Sequence, residues 1–144
     1  MKIREFQEFV RDRLNDVEAL VQGGCKAFAE DTRTVYDEAA QFVSGGGVAI
    51  VVVTPAFDRS GDGTGEGSIP VEGEVEVRCI ERPALAAGRP DALRALDAAE
   101  IVAHALDSDI FGFRSIRQTV QGGRDGATVT ATATFEFAGE LTND

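Results

Sequence analysis

The chain has 144 residues, of which 43% are hydrophobic and 27% are charged. This size and composition are typical of one folded domain and exclude an intrinsically disordered protein. The 25 acidic and 14 basic residues give a formal net charge of −11. That charge argues against a nucleic-acid-binding module or docking on an anionic membrane, because both need a basic surface.

Hydropathy indicates no membrane segment. The longest uninterrupted apolar run is Val48–Val53, far short of the about 20 residues that span a bilayer. The N-terminal residues include acids where a signal peptide would be apolar. Cys25 and Cys79 form no C-x-x-C motif and are too few for a secreted disulfide framework. We therefore expect an acidic domain made inside a cell, with two reduced, packed thiols.

The chain opens with an amphipathic helix, from about residue 2 to 14, whose apolar residues recur at helical spacing. The Asn15-Asp16 pair is predicted to end it and to begin a second turn of chain. Gly23-Gly24 then stops the helical segment. Cys25–Ala29 alternates apolar with small or polar residues and is predicted to be a short strand.

A second helix and an apolar strand follow. The helix starts at a cap, Asp31 or Thr32, and runs to about Val43, ahead of a run of glycines. Val48–Val53 is β-branched and apolar on both faces. This pattern is typical of a strand in the middle of a sheet with both faces covered.

Residues 56–70 are rich in glycine and predict a long, mobile hairpin loop. The segment from Asp58 to Ile69 partly follows the order of a calcium-binding loop, with acids at Asp58, Asp62 and Glu66. Ile69 stands where such a loop needs a bidentate glutamate, and the flanking segments are predicted strands rather than helices. The pattern therefore favours a flexible acidic loop over a weak cation site.

The segment Val71–Glu81 alternates and predicts a strand. Its apolar residues, Cys79 among them, share one face, which we expect in the core. Glu72, Glu74 and Glu76 form a column of like charge on the other face. Such a column is usually a solvated surface, and the alternative is an electrostatic role in an assembly.

The last third of the chain predicts a helix from about Asp91 to Leu106 and two strands, Phe111–Gln121 and Thr128–Phe137. The predicted buried face of the helix holds Ala92, Ala95, Leu96, Ala99, Val102, Ala103 and Leu106. The last strand alternates without exception and carries a polar column of Thr128, Thr130, Thr132 and Thr134. With two hairpins flanking one helix, we predict a single α+β domain over residues 1–144. It should have a mainly antiparallel sheet of four to five strands and helices packed mostly on one face.

Catalytic and metal-binding patterns are scarce in this sequence. His104 is the single histidine, one turn after Glu100 on the polar face of a helix. One histidine and two separated cysteines do not assemble the usual zinc ligands, and the common nucleophile and phosphate-loop motifs are missing. We expect no catalytic residue, no metal site and no cofactor.

The order of elements resembles that of the tail terminator and minor tail proteins of long-tailed bacteriophages. The resemblance covers nearly the whole chain and is one of layout, since the family has no catalytic signature. It rests on the N-terminal helix, the apolar strand ending in Thr54-Pro55, the long hairpin loop, the strand ending in Glu81-Arg82-Pro83, the alanine-rich helix and the threonine-alternating strand.

This resemblance implies a structural virion protein of the tail or neck, present in the host cytoplasm during assembly. Relatives form hexameric rings that cap the tail tube and offer a docking surface to the head–tail connector. DNA passes through such a ring without specific binding, and an acidic lumen would repel it. The implied partners are further copies of the chain, the tail tube protein and the connector protein, with no cofactor and no membrane.

Candidate surfaces follow from the residues and the resemblance together. Candidates for subunit or partner contact are Asp58, Arg59, Asp62, Glu66, Thr128, Thr130, Thr132 and Thr134, and candidates for the acidic lumen are Glu72, Glu74 and Glu76. One alternative in the same setting is a neck or head-completion protein. An intracellular small-ligand-binding α+β domain is a second alternative, and an enzyme is a third.

Overall fold

The computed structural model describes residues 3–30, 34–59, 67–86, 92–107 and 113–142. Within these ranges the helices are α1 (Ile3–Asn15), α2 (Glu18–Gln22), α3 (Val35–Ser44) and α4 (Ala95–Ala105), with a 3₁₀ turn at Pro83–Ala86. The strands are β1 (Cys25–Ala29), β2 (Val48–Val52), β3 (Ala56–Arg59), β4 (Ser68–Glu81), β5 (Arg114–Asp125) and β6 (Thr128–Thr142). No helix in these ranges combines the length and the hydropathy needed to cross a membrane.

The strands form one mixed sheet in the order β1-β2-β4-β6-β5, with β3 paired to the first half of β4. Strands β1 and β2 are parallel and joined by α3, whereas the other pairs are antiparallel. The predicted α+β class is therefore confirmed. The sheet has six strands rather than four to five, because Ala56–Arg59, predicted as part of a loop, pairs with β4.

Strand β2 is an interior strand of the sheet with both faces covered, as its apolar run predicts. It lies between β1 and β4, and all five of its residues are buried. One face of the sheet packs against α1, α2 and α4 and forms the main core. Helix α3 lies on the other face, where Val35, Ala39 and Val43 pack against Ala49 and Val51.

An aromatic cluster closes the core where α1 meets β3 and β6. The ring of Phe6 lies 5.8 Å from that of Phe57, 5.2 Å from that of Phe113 and 5.3 Å from that of Phe137. Phe57 and Phe113 are themselves 5.2 Å apart. These edge-on contacts tie β3, β5 and β6 to α1, and they explain why a short strand with mostly exposed residues is held in place.

Several element boundaries differ from the sequence prediction. Helix α4 starts at Ala95 rather than Asp91, because Arg94 is extended and the Leu93 N–H donates to the carbonyl of Gly23 (3.0 Å). The buried face of α4 is also rotated relative to the prediction, because the stripe that packs on the sheet is Ala95, Ala98, Ala99 and Val102, and Leu96 is 50% exposed. Residue 91 lies outside the described residues.

The last hairpin is longer than predicted. Strand β5 continues to Asp125, and the turn is the tight one that begins at Gly126 (φ +61°). Strand β6 continues past Phe137 because Gly139 leaves room for the ring of Phe113, which covers it.

Candidate interaction surface

The strands β4, β6 and β5 present one face that none of the described helices covers, apart from the flank of α3 near Ile80. We call this surface the open face. Its residues are Asp58 and Glu72, Glu74, Glu76, Arg78 and Ile80, then Thr128, Thr130, Thr132, Thr134 and Glu136, and finally Arg117, Thr119 and Gln121.

The strand register brings the acidic column and the threonine column together on this face. Glu76 on β4 lies opposite Thr134 on β6, and Glu74 lies opposite Glu136. Two residues further along, Arg78 lies opposite Thr132. The two sets of candidate residues are therefore neighbours on one surface and not separate sites.

The first half of the open face is rich in carboxylates. Glu72, Glu74 and Glu136 are exposed, and Asp58 lies opposite Glu72. Glu76 is half-buried and accepts a hydrogen bond from Arg78 (Nη2 to Oε2, 2.9 Å). A cleft of about 290 Å³ runs between these acidic side chains and Ile116. Carboxylates directly opposite one another repel, so this end carries a concentrated negative potential.

The second half of the open face consists mainly of small, uncharged threonine side chains. Its threonines are half-buried, and Ile80 stands among them, opposite Thr130. A mainly apolar groove of about 220 Å³ separates this end from α3, with Tyr36 on its wall. The volumes of both clefts lie at or below the lower end of the range of about 300–1,000 Å³ that small-ligand sites usually occupy.

The contact residues predicted in the glycine-rich segment are only partly described. Asp58 and Arg59 lie on β3, where they pair with Glu72 and Val71 and are exposed, so these two residues belong to the sheet and not to a loop. Asp62 and Glu66 lie outside the described residues. Within the described ranges, no three histidine, cysteine, aspartate or glutamate side chains are grouped so that they could hold a metal ion. The cation site considered for this segment stays a hypothesis.

The thiols and the histidine are not brought together. Cys79 is fully buried on β4, and burial, with a smaller contribution from nearby Cys25, raises the pKa of its thiol. Strand β2 lies between the strands of the two cysteines, and two strand spacings of about 4.8 Å each exceed the roughly 7 Å limit for a disulfide. The prediction of two reduced, packed thiols is confirmed. His104 is exposed on α4.

Two polar features were missed by sequence reasoning. The Asn15 side chain pairs with the outer edge of β1: its Oδ1 accepts from the Ala27 N–H (2.8 Å) and its Nδ2 donates to the Ala27 carbonyl (3.1 Å). Glu81 is 3% exposed and its Oε1 accepts from Arg94 Nε (3.1 Å), while Oε2 has no partner in the described structure. A signal for Glu81 exists, since it stands on the same alternating register as Cys79.

Comparisons with known proteins give one type of match. No family model matches the chain, and no curated protein sequence does. Among solved structures, 26 chains are similar. One is a chain in the structure of the virion of a native gene transfer agent particle, with a TM-score of 0.53 and 17% sequence identity over 92% of each chain. At this identity, the similarity establishes a shared fold.

Proposed function

We propose that this chain is a structural component of a phage-like virion. The observation that carries the proposal is the fold shared over 92% of both chains with a component of a gene transfer agent virion. The similarity extends over most of the chain rather than one motif, which suits a protein whose role lies in its surfaces. Such a protein would be found in the particle and, during assembly, in the host cytoplasm.

Within the virion, we assign the chain the role of tail terminator. Copies of the chain form a hexameric ring that caps the tail tube and presents a surface to the head–tail connector. The layout that resembles tail terminators supports this assignment, including the apolar strand that ends in Thr54-Pro55 and the strand that ends in Glu81-Arg82-Pro83. The proposed role is not enzymatic and uses no cofactor. The exposed position of His104 and the burial of the Cys79 thiol are compatible with a role that needs no catalytic residue.

The carboxylate end of the open face is suited to the DNA path. Glu72, Glu74 and Glu136 are exposed there, and their charge repels the phosphate backbone. At physiological salt the Debye length is about 8 Å, so the repulsion acts only near the wall. DNA is kept from adhering to the ring, and the passage of DNA at larger distance is little affected.

The threonine end of the open face is suited to protein contact. Thr128, Thr130 and Thr132 are small and half-buried, which leaves a flat surface for packing. Their hydroxyl groups keep the free chain soluble and can donate hydrogen bonds to a partner. We assign this end to contact with a neighbouring virion protein, the tail tube protein or a further copy of the chain.

Deletion of the gene from cells that produce the particle tests this role. A cap stops growth of the tail tube, so we expect electron micrographs to show tubes of excess length without heads, and restoration by the wild-type gene. Tails of normal length beside unjoined heads would indicate a neck or head-completion protein instead. Normal, complete particles would contradict a structural role.

A further inference from the structure

The two lateral ends of the sheet carry charges of opposite sign. Strand order places β5 at one end and β1 at the other. The described part of β5 holds three arginines and one aspartate, an excess of positive charge in a chain whose net charge is −11. Segments 11–30 and 34–44, which surround β1, hold six carboxylates and three cationic side chains.

Arg114 and Arg117 are exposed on β5 and have no ion-pair partner among the described residues. Arg117 lies opposite Glu136, whose side chain belongs to the open face. In an acidic protein, arginines that have no direct partner and lie on an outer strand can bind an acidic surface of another molecule.

At the opposite end, Asp37 and Glu38 on α3 supply such a surface. Glu38 and Val35 line a slot of about 270 Å³ along the outer edge of β1, and Arg11 and Asn15 line its other side. Asp37 is exposed and has no ion-pair partner in the described structure. Tyr36, by contrast, lies on the flank of α3 that faces the groove beside Ile80.

The two charged groups lie on the same side of the sheet. Helix α3 packs on Val51, which pairs with Arg78, a residue of the open face. Arg117 also projects from the open face, since it pairs with Glu136. When two copies lie side by side with their sheets roughly level, the arginines of one copy therefore meet α3 of the next.

We propose that successive copies of the chain associate head to tail, with Arg114 and Arg117 on β5 of one copy paired with Asp37 and Glu38 on α3 of the next. The two patches do not overlap, so each copy uses both at once, as a closed ring requires. The inference rests on the proposed function for the existence of a ring, and it identifies the surfaces that form it.

Side chains rather than a continuous sheet carry this contact. The Asn15 amide already occupies the N–H and the carbonyl of Ala27 at the edge of β1. An incoming strand would have to displace both hydrogen bonds to pair there. The carboxylates and threonines of the open face remain uncovered in this arrangement and are left to line the lumen and to meet the tail tube.

Charge reversal tests the pairing, with self-association of the purified full chain measured by sedimentation velocity at low and physiological salt. In R114E/R117E, glutamates meet the acidic α3 of the next copy; in D37K/E38K, lysines meet arginines. We expect each variant alone to associate roughly tenfold or more weakly than wild type, since like charges oppose each other across the contact. An equimolar mixture should assemble, because each contact then joins opposite charges.

Controls separate this pairing from a general charge effect. R4E/R82E makes the same change in net charge as R114E/R117E at exposed positions outside both patches and should associate like wild type. Circular dichroism should show that all variants are folded. Wild-type protein that stays monomeric at every concentration, variants that associate normally, or variants that mixing does not restore would each overturn the proposal. Virion incorporation, measured separately, decides the proposed function, so the two can fail independently.

Discussion

Glu76 on β4 lies directly opposite Thr134 on β6. This pairing places the acidic column and the threonine column on one face, although the two strands belong to different hairpins of the sequence. The open face thus has two ends of different chemistry, one that repels a polyanion and one that offers a flat polar surface. The proposed ring subunit would need both properties, since it must contact proteins and let DNA pass.

Replacement of Thr130 and Thr132 by lysine tests the threonine end. T130K/T132K places two long cationic side chains on the flat surface, and their stems can extend into solvent without unfolding the chain. We expect folded protein that no longer caps tail tubes. V21K/Q22K introduces the same charge on exposed residues of α2 and should cap normally. Capping by T130K/T132K at the wild-type level would contradict the assignment of this end.

Gly139 is predicted to be essential for packing, in contrast with Gly122. A Cβ at Gly139 would lie 2.7 Å from Cδ1 of Phe113, whereas one at Gly122 would meet nothing within 4 Å. We expect G139A to lower the free energy of unfolding by about 1–3 kcal/mol, since overpacking of this kind displaces the ring. G122A should leave it within about 0.5 kcal/mol. Urea denaturation of both variants checks the difference, and equal stabilities would be inconsistent with a fixed Phe113 ring.

Asn15 is predicted to stabilise the free edge of β1. N15A removes both hydrogen bonds to Ala27, and at about 1 kcal/mol each the free energy of unfolding should fall by about 2 kcal/mol. Q22A removes a hydrogen bond to Glu18 between exposed side chains and should change stability by less than about 0.5 kcal/mol. The opposite ranking in urea denaturation would show that the Asn15 contact contributes little.

The burial of the Cys79 thiol predicts that the protein loses stability at alkaline pH. Burial raises its pKa in the folded chain, so above about pH 8.5 the unfolded thiol releases its proton while the folded one retains it. Deprotonation of the unfolded chain then favours the unfolded state. The contribution of Cys79 to the free energy of unfolding is therefore complete below about pH 8.5, and above that pH it declines by about 1.4 kcal/mol per pH unit.

The variant C79A isolates this effect. It should be less stable than wild type near neutral pH, because it removes a buried sulfur, and the gap should narrow as the pH rises above 8.5. Titrating groups other than Cys25, which interacts with Cys79, act on both proteins equally. Parallel stability curves up to pH 10 would contradict the burial of a protonated thiol.

Local patterns were sufficient to predict much of the fold. The apolar run at Val48–Val53 predicted a strand with both faces covered, and β2 is buried throughout between two neighbours. Alternation placed Cys79 in the core. These features depend on residues close together in the chain, where periodicity directly reports which side is buried.

Long-range packing determines what the sequence could not predict. Strand β3 contributes only Phe57 to the core, and that ring is held by Phe6 and Phe113 from distant segments. Leu96 was predicted to be buried but is exposed, since the packing of α4 on the distant strands β4 and β6 decides which side of the helix is covered. The acidic and threonine columns are neighbours on one face because of the β4–β6 register, which neither strand specifies alone.

The location of the protein in the particle tests the central claim most directly. Purified virions carrying a tagged copy of the chain can be labelled with antibody-coated gold and imaged by electron microscopy. The proposed tail terminator predicts label at the junction of tail and head, one cluster per particle, and at one end only of free tails. Label along the whole tube, or virions without the protein, would contradict it.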